Sequence, residues 1–289
     1  MLCDNMLASK TMRPGNWIRF DSYVYRNIID MFYVIQKNTF REANYDSVIT
    51  AVNRLGLDYE IVDVLPFVED FEFNTTRKDV FCFGSLKLAR LATKYGWTPG
   101  SLANKNHDYR VYSKYYTNNL LNFDSIISEF DDKFDIEPPF FVRPCEDTKV
   151  FTGKVFYSID EWNKFKNWNL TNGYTTTLNT KTRIQVCPAK NIQKEFRFWI
   201  VNGQIATASQ YRAGNWINYS EVVDDQAYVF CDEMIKLFEL ASSFVMDICQ
   251  IDEGYKIVEC GCINAAGFYK ANMQKLLIAL ENHYTKLEE

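Results

Sequence analysis

Residues 244–269, FVMDICQIDEGYKIVECGCINAAGFY, contain two apolar, β-prone runs separated by a short polar turn. This pattern predicts a β-hairpin whose three-residue loop is Asp252-Glu253-Gly254. With that loop, the strand register places Asp247 directly opposite Glu259. The hairpin therefore brings two carboxylates together on one face of a strand pair.

Such a pair of carboxylates is unfavourable without a partner of opposite charge. Directly opposed side chains in an antiparallel pair have Cβ atoms roughly 4.5–5.5 Å apart, and like charges there destabilise the sheet. A bound divalent cation would remove the repulsion, and carboxylate oxygens are ligands that suit Mg²⁺. The alternatives are that one acid is protonated, or that a loop one residue longer or shorter separates the pair.

The composition is that of a folded protein with one or two domains. The chain has 289 residues, of which 47% are hydrophobic and 16% aromatic. Its formal net charge of −5 argues against a general nucleic-acid binder. No apolar run approaches the roughly 18 residues of a membrane span. The N-terminal residues also lack the apolar region of a secretory signal. We therefore expect a cytoplasmic protein without membrane or nucleic-acid partners.

Cysteine and histidine limit the chemistry that the chain can perform. The eight cysteines show no disulfide spacing, which favours reduced thiols. Cys260 and Cys262 form a C-x-C pair without a second pair, so buried apolar packing is favoured over a zinc site. The two histidines, His107 and His283, both lie in polar surroundings and are predicted to be solvated. Few bases remain for nucleophilic catalysis, so an enzyme of this sequence would depend on metal, lysine and arginine.

The first part of the chain predicts a small α/β domain over residues 31–99, after an N-terminal extension of residues 1–30. Gly56 and Gly96 follow amphipathic segments as helix stop signals. The predicted elements are the strand Met31–Gln36, the helix Phe40–Leu55, the strands Tyr59–Pro66 and Asp79–Phe83, and the helix Leu86–Tyr95.

The remaining residues, 100–289, predict an α+β domain. Short strands dominate from Phe140 onward, where Pro138-Pro139 marks the entry to a new strand. The predicted helices are Val111–Phe130, Ile159–Lys166, Ala227–Phe244 and Ala271–Leu287.

A basic strand end is the first candidate for binding a polyphosphate. Phe140–Pro144 is an apolar strand that includes Arg143, and Lys149 and the turn at Gly153 follow it. Arginine offers a planar fork to phosphate and lysine offers a point charge. The G-x-x-x-x-G-K-[ST] loop is absent. An ordinary hairpin with charged ends is the alternative.

A second hairpin forms around Asn202-Gly203, which is a strong two-residue turn signal. Its register predicts that Glu195 faces Gln210 and that Arg197 faces Ala208. One face then carries the polar residues Glu195, Arg197, Gln210 and Arg212, and the other carries Phe196, Phe198, Ile200 and Ile205. The polar face is either the solvated side of a sheet or a site for an anionic, phosphorylated intermediate.

Together, these segments resemble the ATP-grasp superfamily, and most closely its phage-associated clade marked by two arginines and one lysine. The resemblance extends over about residues 100–270 and is looser over 31–99. The segments that show it are FVRPCEDTKVFTG (141–153), KEFRFWIVNGQIATASQYR (194–212) and VMDICQIDEGYKIVECGCINAAGFY (245–269). The fold expected is an α/β N-terminal domain plus an α+β ATP-grasp fold with mixed and antiparallel sheets.

The resemblance also implies roles for individual residues, with ATP and Mg²⁺ as cofactors. Arg197 and Arg212 would stabilise the transferred phosphoryl group, and Asp247, Glu259 and Asn264 would hold Mg²⁺. The nucleotide-binding residues would be Arg143, Lys149, Gly153, Val186, Cys187 and Glu195.

Two positions depart from the family pattern. Most of the superfamily has lysine where this chain has Arg143, and the usual E-x-N motif has Gly261 in its third position, with Asn264 as the next amide.

The expected activity is that of an ATP-dependent carboxylate–amine ligase acting through an acyl-phosphate, with addition of an amino acid to a peptide or protein as one form of it. Its substrates would be small-molecule or peptide carboxylates and amines. The alternatives are a nucleotide-binding or interaction protein that has lost its chemistry, and a small-molecule kinase.

Overall fold

The computed structural model describes residues 30–37, 45–65, 73, 75–148, 150–172 and 177–285. The predicted N-terminal extension, except for Asp30, lies outside the described residues. Within these ranges, no helix is both long and apolar enough to span a membrane.

The N-terminal part forms a parallel sheet with the strand order β2-β1-β3-β4. Left-handed glycines end both of its helices, as the sequence predicts, with φ of 70° at Gly56 and 66° at Gly96. The elements are β1 (Phe32–Gln36), α1 (Asp46–Leu55), β2 (Tyr59–Val62), β3 (Asp79–Phe83), α2 (Leu86–Tyr95) and β4 (Thr98–Gly100).

An antiparallel four-stranded sheet follows, with the order β5-β8-β6-β7. Its apolar face packs against a helix through aromatic side chains, among them Phe130, Phe156 and Trp162. The elements of this region are α3 (Tyr109–Tyr116), β5 (Ile126–Glu129), β6 (Phe140–Pro144), β7 (Lys154–Phe156), α4 (Ile159–Asn172) and β8 (Arg183–Pro188).

The third sheet is antiparallel, with the order β11-β10-β9-β12-β13. One of its faces, together with α6, packs against the N-terminal sheet in a shared core that includes Tyr33, Trp199 and Leu277. The elements are β9 (Lys194–Val201), β10 (Gln204–Ala213), β11 (Trp216–Ser220), α5 (Asp225–Leu237), β12 (Ser243–Ile251), β13 (Gly254–Cys262) and α6 (Met273–Tyr284). A parallel sheet followed by antiparallel sheets is the organisation that the sequence predicts.

Two helix predictions were wrong in their extent. The helix expected over Val111–Phe130 is α3, which ends at Tyr116, and the chain then bonds to β13 through Leu121 N–H and the Ile257 carbonyl. The helix expected over Ala227–Phe244 is α5, which ends at Leu237. In both cases the apolar run continues past the helix because residues after its end, such as Leu121 and Leu240, are also buried in the core.

Gly100 allows a test of how tightly β4 is fitted to the core. It has φ of 59°, and a Cβ there would lie 2.6 Å from the Trp97 carbonyl oxygen. Gly56 is also left-handed, but nothing lies within 4 Å of its Cβ position. Alanine at Gly56 should therefore lower the free energy of unfolding by only about 1–2 kcal/mol. Alanine at Gly100 should lower it more, because the backbone must also move. Urea denaturation measures both, and equal losses would contradict the close fit.

Candidate active site

Three charged residues form a row across the middle of the antiparallel sheet. Asp247 on β12 is the register partner of Arg197 on β9 and of Glu259 on β13. Because directly paired residues point to the same face, all three side chains lie together. The row joins the two hairpins that the sequence predicted separately.

The predicted pairing of Asp247 with Glu259 is confirmed, but the predicted loop is wrong. Ile251 pairs with Gly254, so the turn has two residues instead of three. A bulge between Asp247 and Ile248 then shifts the register by one residue and restores the pair.

Arginines separate the two carboxylates. Arg197 binds Asp247 with two hydrogen bonds, from Nε to Oδ1 at 2.7 Å and from Nη2 to Oδ2 at 2.8 Å. Glu259 forms an ion pair with Arg143 and lies 3.8 Å from Arg197 Nη2. The like-charge repulsion expected from the sequence is therefore compensated by two guanidinium groups.

Burial and charge act against each other at this row. Burial raises the pKa of Asp247 above its ordinary value, although Arg197 opposes the shift. Burial also opposes the charge of Arg197, but its pairing with Asp247 raises the pKa of the guanidinium well above its usual range. For Arg143, Glu259 has the same effect. Both arginines therefore stay cationic.

The register predicted for the β9–β10 hairpin was right at its turn and wrong at its far end. Val201 pairs with Gln204, but bulges between Ile205 and Thr207 and between Gln210 and Arg212 shift the strands. Glu195 consequently faces Arg212 instead of Gln210, and Arg197 faces Ser209 instead of Ala208. Gln210 lies opposite Phe196, on the apolar face.

Glu195 positions the second arginine. Its carboxylate accepts hydrogen bonds from Arg212 Nη1 at 2.9 Å and from the Tyr211 hydroxyl at 2.7 Å. The same hydroxyl is 3.3 Å from Asp247 Oδ2. Burial raises the pKa of Tyr211 well above its ordinary value, so the phenol remains a donor. Tyr211 thereby links Glu195 to the charged row.

Two tyrosines that sequence reasoning missed cover Arg197. Its guanidinium carbon lies 4.9 Å from the ring centre of Tyr269 and 5.9 Å from that of Tyr211. The two rings stack at 4.8 Å. Each tyrosine lies in a segment that carries the family resemblance, but only the bulged register shows that they meet.

The predicted phosphate-binding residues lie on the adjacent small sheet, apart from Lys149, which is outside the described residues. Arg143 is on β6, and Gly153 packs so closely on this strand that a Cβ would lie 2.6 Å from the Phe141 ring. The chain around Gly153 therefore lies directly over the face of β6 that carries Phe141 and Arg143.

The predicted adenine-contacting residues are on β8. Val186 packs into the small-sheet core, and Cys187 pairs with Phe141. Gln185, which the sequence analysis missed, is the register partner of Arg143, and its buried amide nitrogen has no hydrogen-bond partner. The sequence does contain a signal for Gln185, because an amide side chain within an otherwise apolar strand is unusual.

Asn264 has a different environment from the other predicted metal ligands. Its Oδ1 accepts the Leu102 N–H at 2.8 Å, and its Nδ2 donates to the carbonyls of Cys82 at 2.7 Å and Gly100 at 3.1 Å. These contacts tie the end of β13 to β3 and β4. The geometry favours a structural role for this amide over metal binding.

The side chains that could coordinate Mg²⁺ are of a suitable type, but there are few of them. Asp247 and Glu259 supply carboxylate oxygens. Asp147 is also close, because its Oδ2 accepts the Cys262 N–H at 3.0 Å and lies 3.3 Å from a Cβ position on Gly261. Among the residues that the structure describes, no three His, Cys, Asp or Glu side chains are arranged to hold a metal.

His107 was predicted to be solvated, and this prediction was wrong. The residue is buried in a short 3₁₀ helix, where its Nδ1 accepts the Asn104 N–H at 3.3 Å. His283 is half-buried. Cys260 and Cys262 are buried free thiols, and burial raises the pKa of both.

Residues 66–280 match the family model described as ATP-grasp domain, R-2-K clade family 3. The chain belongs to this family. No curated protein matches it.

Solved structures show the same fold at low sequence identity. The D-alanine–D-alanine ligase from Bacillus anthracis, complexed with ATP, has 13% identity and a TM-score of 0.55, with 88% of this chain and 97% of that chain covered. An ATP-grasp RimK domain protein from Sphaerobacter thermophilus DSM 20745 has 12% identity and a TM-score of 0.56, with 86% and 99% covered. The ATP-grasp ligase PsnB, complexed with a minimal precursor, has 13% identity and a TM-score of 0.51, with 88% and 99% covered. These matches confirm the predicted ATP-grasp fold.

Replacing Arg197 should lower the free energy of unfolding of this protein by an amount that depends on pH. In Arg197→Gln, Asp247 is left buried without its cation, and we expect a loss of about 3–5 kcal/mol at pH 8. The pKa of Asp247 is already raised in the folded state, and losing Arg197 raises it further. The folded state therefore binds a proton more readily than the unfolded state, so the loss should shrink at pH 5. Urea titrations at both pH values measure this.

Lys194→Gln is the matched control, because Lys194 on the same strand pairs with Asp224 near the surface. It should cost less than about 1 kcal/mol at either pH. A pH-independent loss in Arg197→Gln would show that the pair does not have this electrostatic role.

Asn264→Asp separates a structural amide from a metal ligand. The change keeps the acceptor for Leu102 but removes the donors to Cys82 and Gly100. We expect a loss of about 2–3 kcal/mol in unfolding free energy and no gain in Mn²⁺ affinity, measured by electron paramagnetic resonance with ATP present. The exposed Asn163→Asp on α4 should change neither quantity. Tighter Mn²⁺ binding by Asn264→Asp would instead indicate a ligand.

Proposed function

We propose that this protein is an ATP-dependent ligase that activates a carboxylate as an acyl-phosphate and joins it to an amine. Membership of the ATP-grasp family and the fold shared with a D-alanine–D-alanine ligase bound to ATP support this proposal. The observation that carries it is the row Arg197–Asp247–Glu259, continued by Arg143 from the neighbouring sheet. Two arginines and two carboxylates between two sheets are suited to a nucleoside triphosphate and its cation, because guanidinium groups bind phosphates and carboxylates bind the cation.

The nucleotide would lie between the small sheet and the larger antiparallel sheet. In the proposed complex, Arg143 and Lys149 contact phosphates beneath the turn at Gly153, and the β8 segment at Val186 and Cys187 borders the adenine. Glu195 holds Arg212 in position for the transferred phosphoryl group. Asp247 and Glu259 would hold Mg²⁺, which when bound supplies charge neutralisation to the phosphates.

The proposed reaction has two steps. A carboxylate oxygen of the substrate attacks the γ-phosphorus, the bond to the β–γ bridging oxygen breaks, and ADP leaves. The amine nitrogen then attacks the acyl carbon, inorganic phosphate leaves, and the amine loses a proton. Arg197 and Arg212 stabilise the negative charge in both steps. The tyrosine rings over Arg197 limit access of water, which would hydrolyse the acyl-phosphate.

The substrates are the finer part of the proposal. One fold relative is a D-alanine–D-alanine ligase, and another was solved with a minimal precursor. We extend this to a carboxylate and an amine borne by amino acids or peptides, including addition of an amino acid to a peptide or protein. The phage association, the marking by two arginines and one lysine, and the cytoplasmic location stay predictions.

A nucleotide-binding protein without catalysis is the second candidate, and two observations favour it. Gly261 offers no side chain at the position of the motif's usual asparagine, and both carboxylates of the row already have arginine partners. Product analysis also separates a kinase, which would leave a stable phosphorylated compound instead of an amide.

Removing either carboxylate should reduce turnover by a larger factor than it reduces the affinity for nucleotide. For Glu259→Gln and Asp247→Asn we expect ADP release with a panel of amino acids and peptides to fall about 100-fold or more. Glu259 is partly exposed, so Glu259→Gln tests the role even if Asp247→Asn, which leaves Arg197 buried and unpaired, fails to fold.

Glu253→Gln is the control, since Glu253 is an exposed carboxylate in the turn of the same hairpin. It should retain wild-type turnover. If the wild-type protein binds Mg-ATP tightly yet releases no ADP with any substrate pair, the ligase proposal is wrong and the binding role stands.

A further inference from the structure

Tyr269, which covers Arg197, has an unusual backbone conformation. Its φ is 49°, in the left-handed region that favours glycine and that bulky side chains rarely adopt. Such strain persists only where the surrounding structure holds a residue in place, and it concentrates at functional sites. Tyr269 is therefore held in this conformation by its surroundings.

The residue before Tyr269 is anchored in the N-terminal part of the chain. Phe268 is fully buried in the core that the parallel sheet shares with the antiparallel sheet. Its ring stacks on Tyr45 with ring centres 5.4 Å apart and meets Phe83 edge-on at 5.5 Å. This side chain cannot move without opening the core, so it fixes the chain immediately before Tyr269.

The antiparallel sheet holds the chain on both sides of Tyr269. Arg197 Nη1 donates a hydrogen bond to the Gly267 carbonyl at 3.4 Å, and the Lys270 N–H donates to Ser209 Oγ at 3.1 Å. Ser209 is the register partner of Arg197, so both contacts are made at the same point of the sheet. The segment from Gly267 to Lys270 is thereby fastened beside Arg197.

The ring of Tyr269 also lies in a stack with two other tyrosines. Between ring centres, Tyr211 is 4.8 Å from it and Tyr219 is 5.4 Å from it, with interplanar angles of 24° and 27°. Offset stacking of this kind is a favourable arrangement of aromatic rings. The neighbouring rings and the fastened backbone together hold Tyr269 against Arg197, and they offset the cost of the left-handed φ.

The contact with Tyr269 leaves the hydrogen-bond donors of Arg197 available. Nε and Nη2 donate to Asp247 and Nη1 makes the longer bond to Gly267, whereas the guanidinium carbon lies over the ring at 4.9 Å. The donors of a guanidinium lie in its plane, so the aromatic contact and the hydrogen bonds are separate interactions. Arg197 can consequently change its hydrogen-bond partner while it keeps its contact with the ring.

We propose that Tyr269 is a positioning residue that holds Arg197 in place while the guanidinium exchanges Asp247 for the transferred phosphoryl group. This inference rests on the proposed ligase function and assigns one further residue to it. Cation–π attraction persists in both states, so the charge of Arg197 keeps one favourable contact when Asp247 is no longer its partner. Without the ring, the guanidinium would tilt into the space left behind, and a misplacement of about 1 Å can reduce a rate about 100-fold.

Two substitutions at position 269 separate the ring from the backbone. Tyr269→Asn removes the ring, and asparagine tolerates a left-handed φ, so the chain can keep its course. Tyr269→Phe keeps the ring on the same backbone. Tyr115→Asn is the control, because Tyr115 on α3 is a half-exposed tyrosine whose ring stacks on Phe238 at 3.9 Å. A cooperative urea transition shows that each full-length variant is folded.

Proton exchange at Arg197 Nε measures how firmly the guanidinium is held. In ¹H–¹⁵N NMR spectra, this signal is assigned by its loss in Arg197→Lys. We expect Tyr269→Asn to raise the exchange rate about tenfold, the factor that corresponds to a desolvated cation–π contact. Tyr269→Phe and Tyr115→Asn should stay within about twofold of the wild type. An unchanged rate in Tyr269→Asn overturns the proposal, whether or not the protein is a ligase.

Turnover and nucleotide affinity show whether this holding serves the reaction. In Tyr269→Asn, kcat for ADP release should fall about 100-fold while the Kd for Mg-ATP stays within about threefold of the wild type. Tyr269→Phe and Tyr115→Asn should keep kcat within about threefold. Faster turnover in Tyr269→Asn would identify the ring as an obstruction, and an equal loss in Tyr269→Phe would assign the effect to the hydroxyl. Either result, or an unchanged kcat in Tyr269→Asn, overturns the proposal.

The exchange rates also distinguish this inference from the proposed function. If the wild type releases no ADP with any substrate pair, the ligase proposal fails, and exchange at Arg197 Nε is then compared with Mg-ATP bound. Exchange about tenfold faster in Tyr269→Asn than in the wild type would support a ring that holds Arg197 in the nucleotide complex. Equal rates in the two complexes would overturn it.

Discussion

The buried ion pair between Arg197 and Asp247 is the interaction on which the site depends. Both side chains are almost fully enclosed, and their bidentate geometry requires β9 and β12 to pair in one register. A buried ion pair usually stabilises a fold no more than well-packed apolar residues would, because both charges lose their hydration. Its position, in a row with Glu259 and in contact with Tyr211 and Tyr269, is consistent with the proposed function.

The bulges are what bring the remaining groups to this pair. A bulge beside Asp247 places Glu259 opposite it despite the short turn, and the bulge between Gln210 and Arg212 places Arg212 opposite Glu195. Without these irregularities, strict alternation would direct some of these side chains into the apolar core. Two of the bulges in this sheet therefore interrupt regular hydrogen bonding next to the charged row, whereas the one between Ile205 and Thr207 lies toward the turn.

Sequence reasoning recovered what depends on neighbouring residues. The Asn202-Gly203 turn and the glycines that end α1 and α2 follow from local patterns. The facing of Asp247 and Glu259 was predicted correctly only because a bulge offsets the error in the predicted loop. The bulges could not be predicted, because β9 and β12 are buried along most of their length and show no clear alternation whose phase an extra residue would shift. The position of Asn264 was equally inaccessible, since its partners at Cys82 and Gly100 are more than 160 residues away in the chain. Such partners are set by the packing of whole sheets.

The arginine partners of the two carboxylates also bear on how a nucleotide would be accepted. Each arginine that turns toward a phosphate leaves its carboxylate, Asp247 or Glu259, without compensation in a site of low dielectric. A cation then becomes the favourable partner of these carboxylates, so the proposed site would bind nucleotide and Mg²⁺ with positive coupling. Such coupling is reciprocal, because each ligand raises the affinity for the other by the same factor.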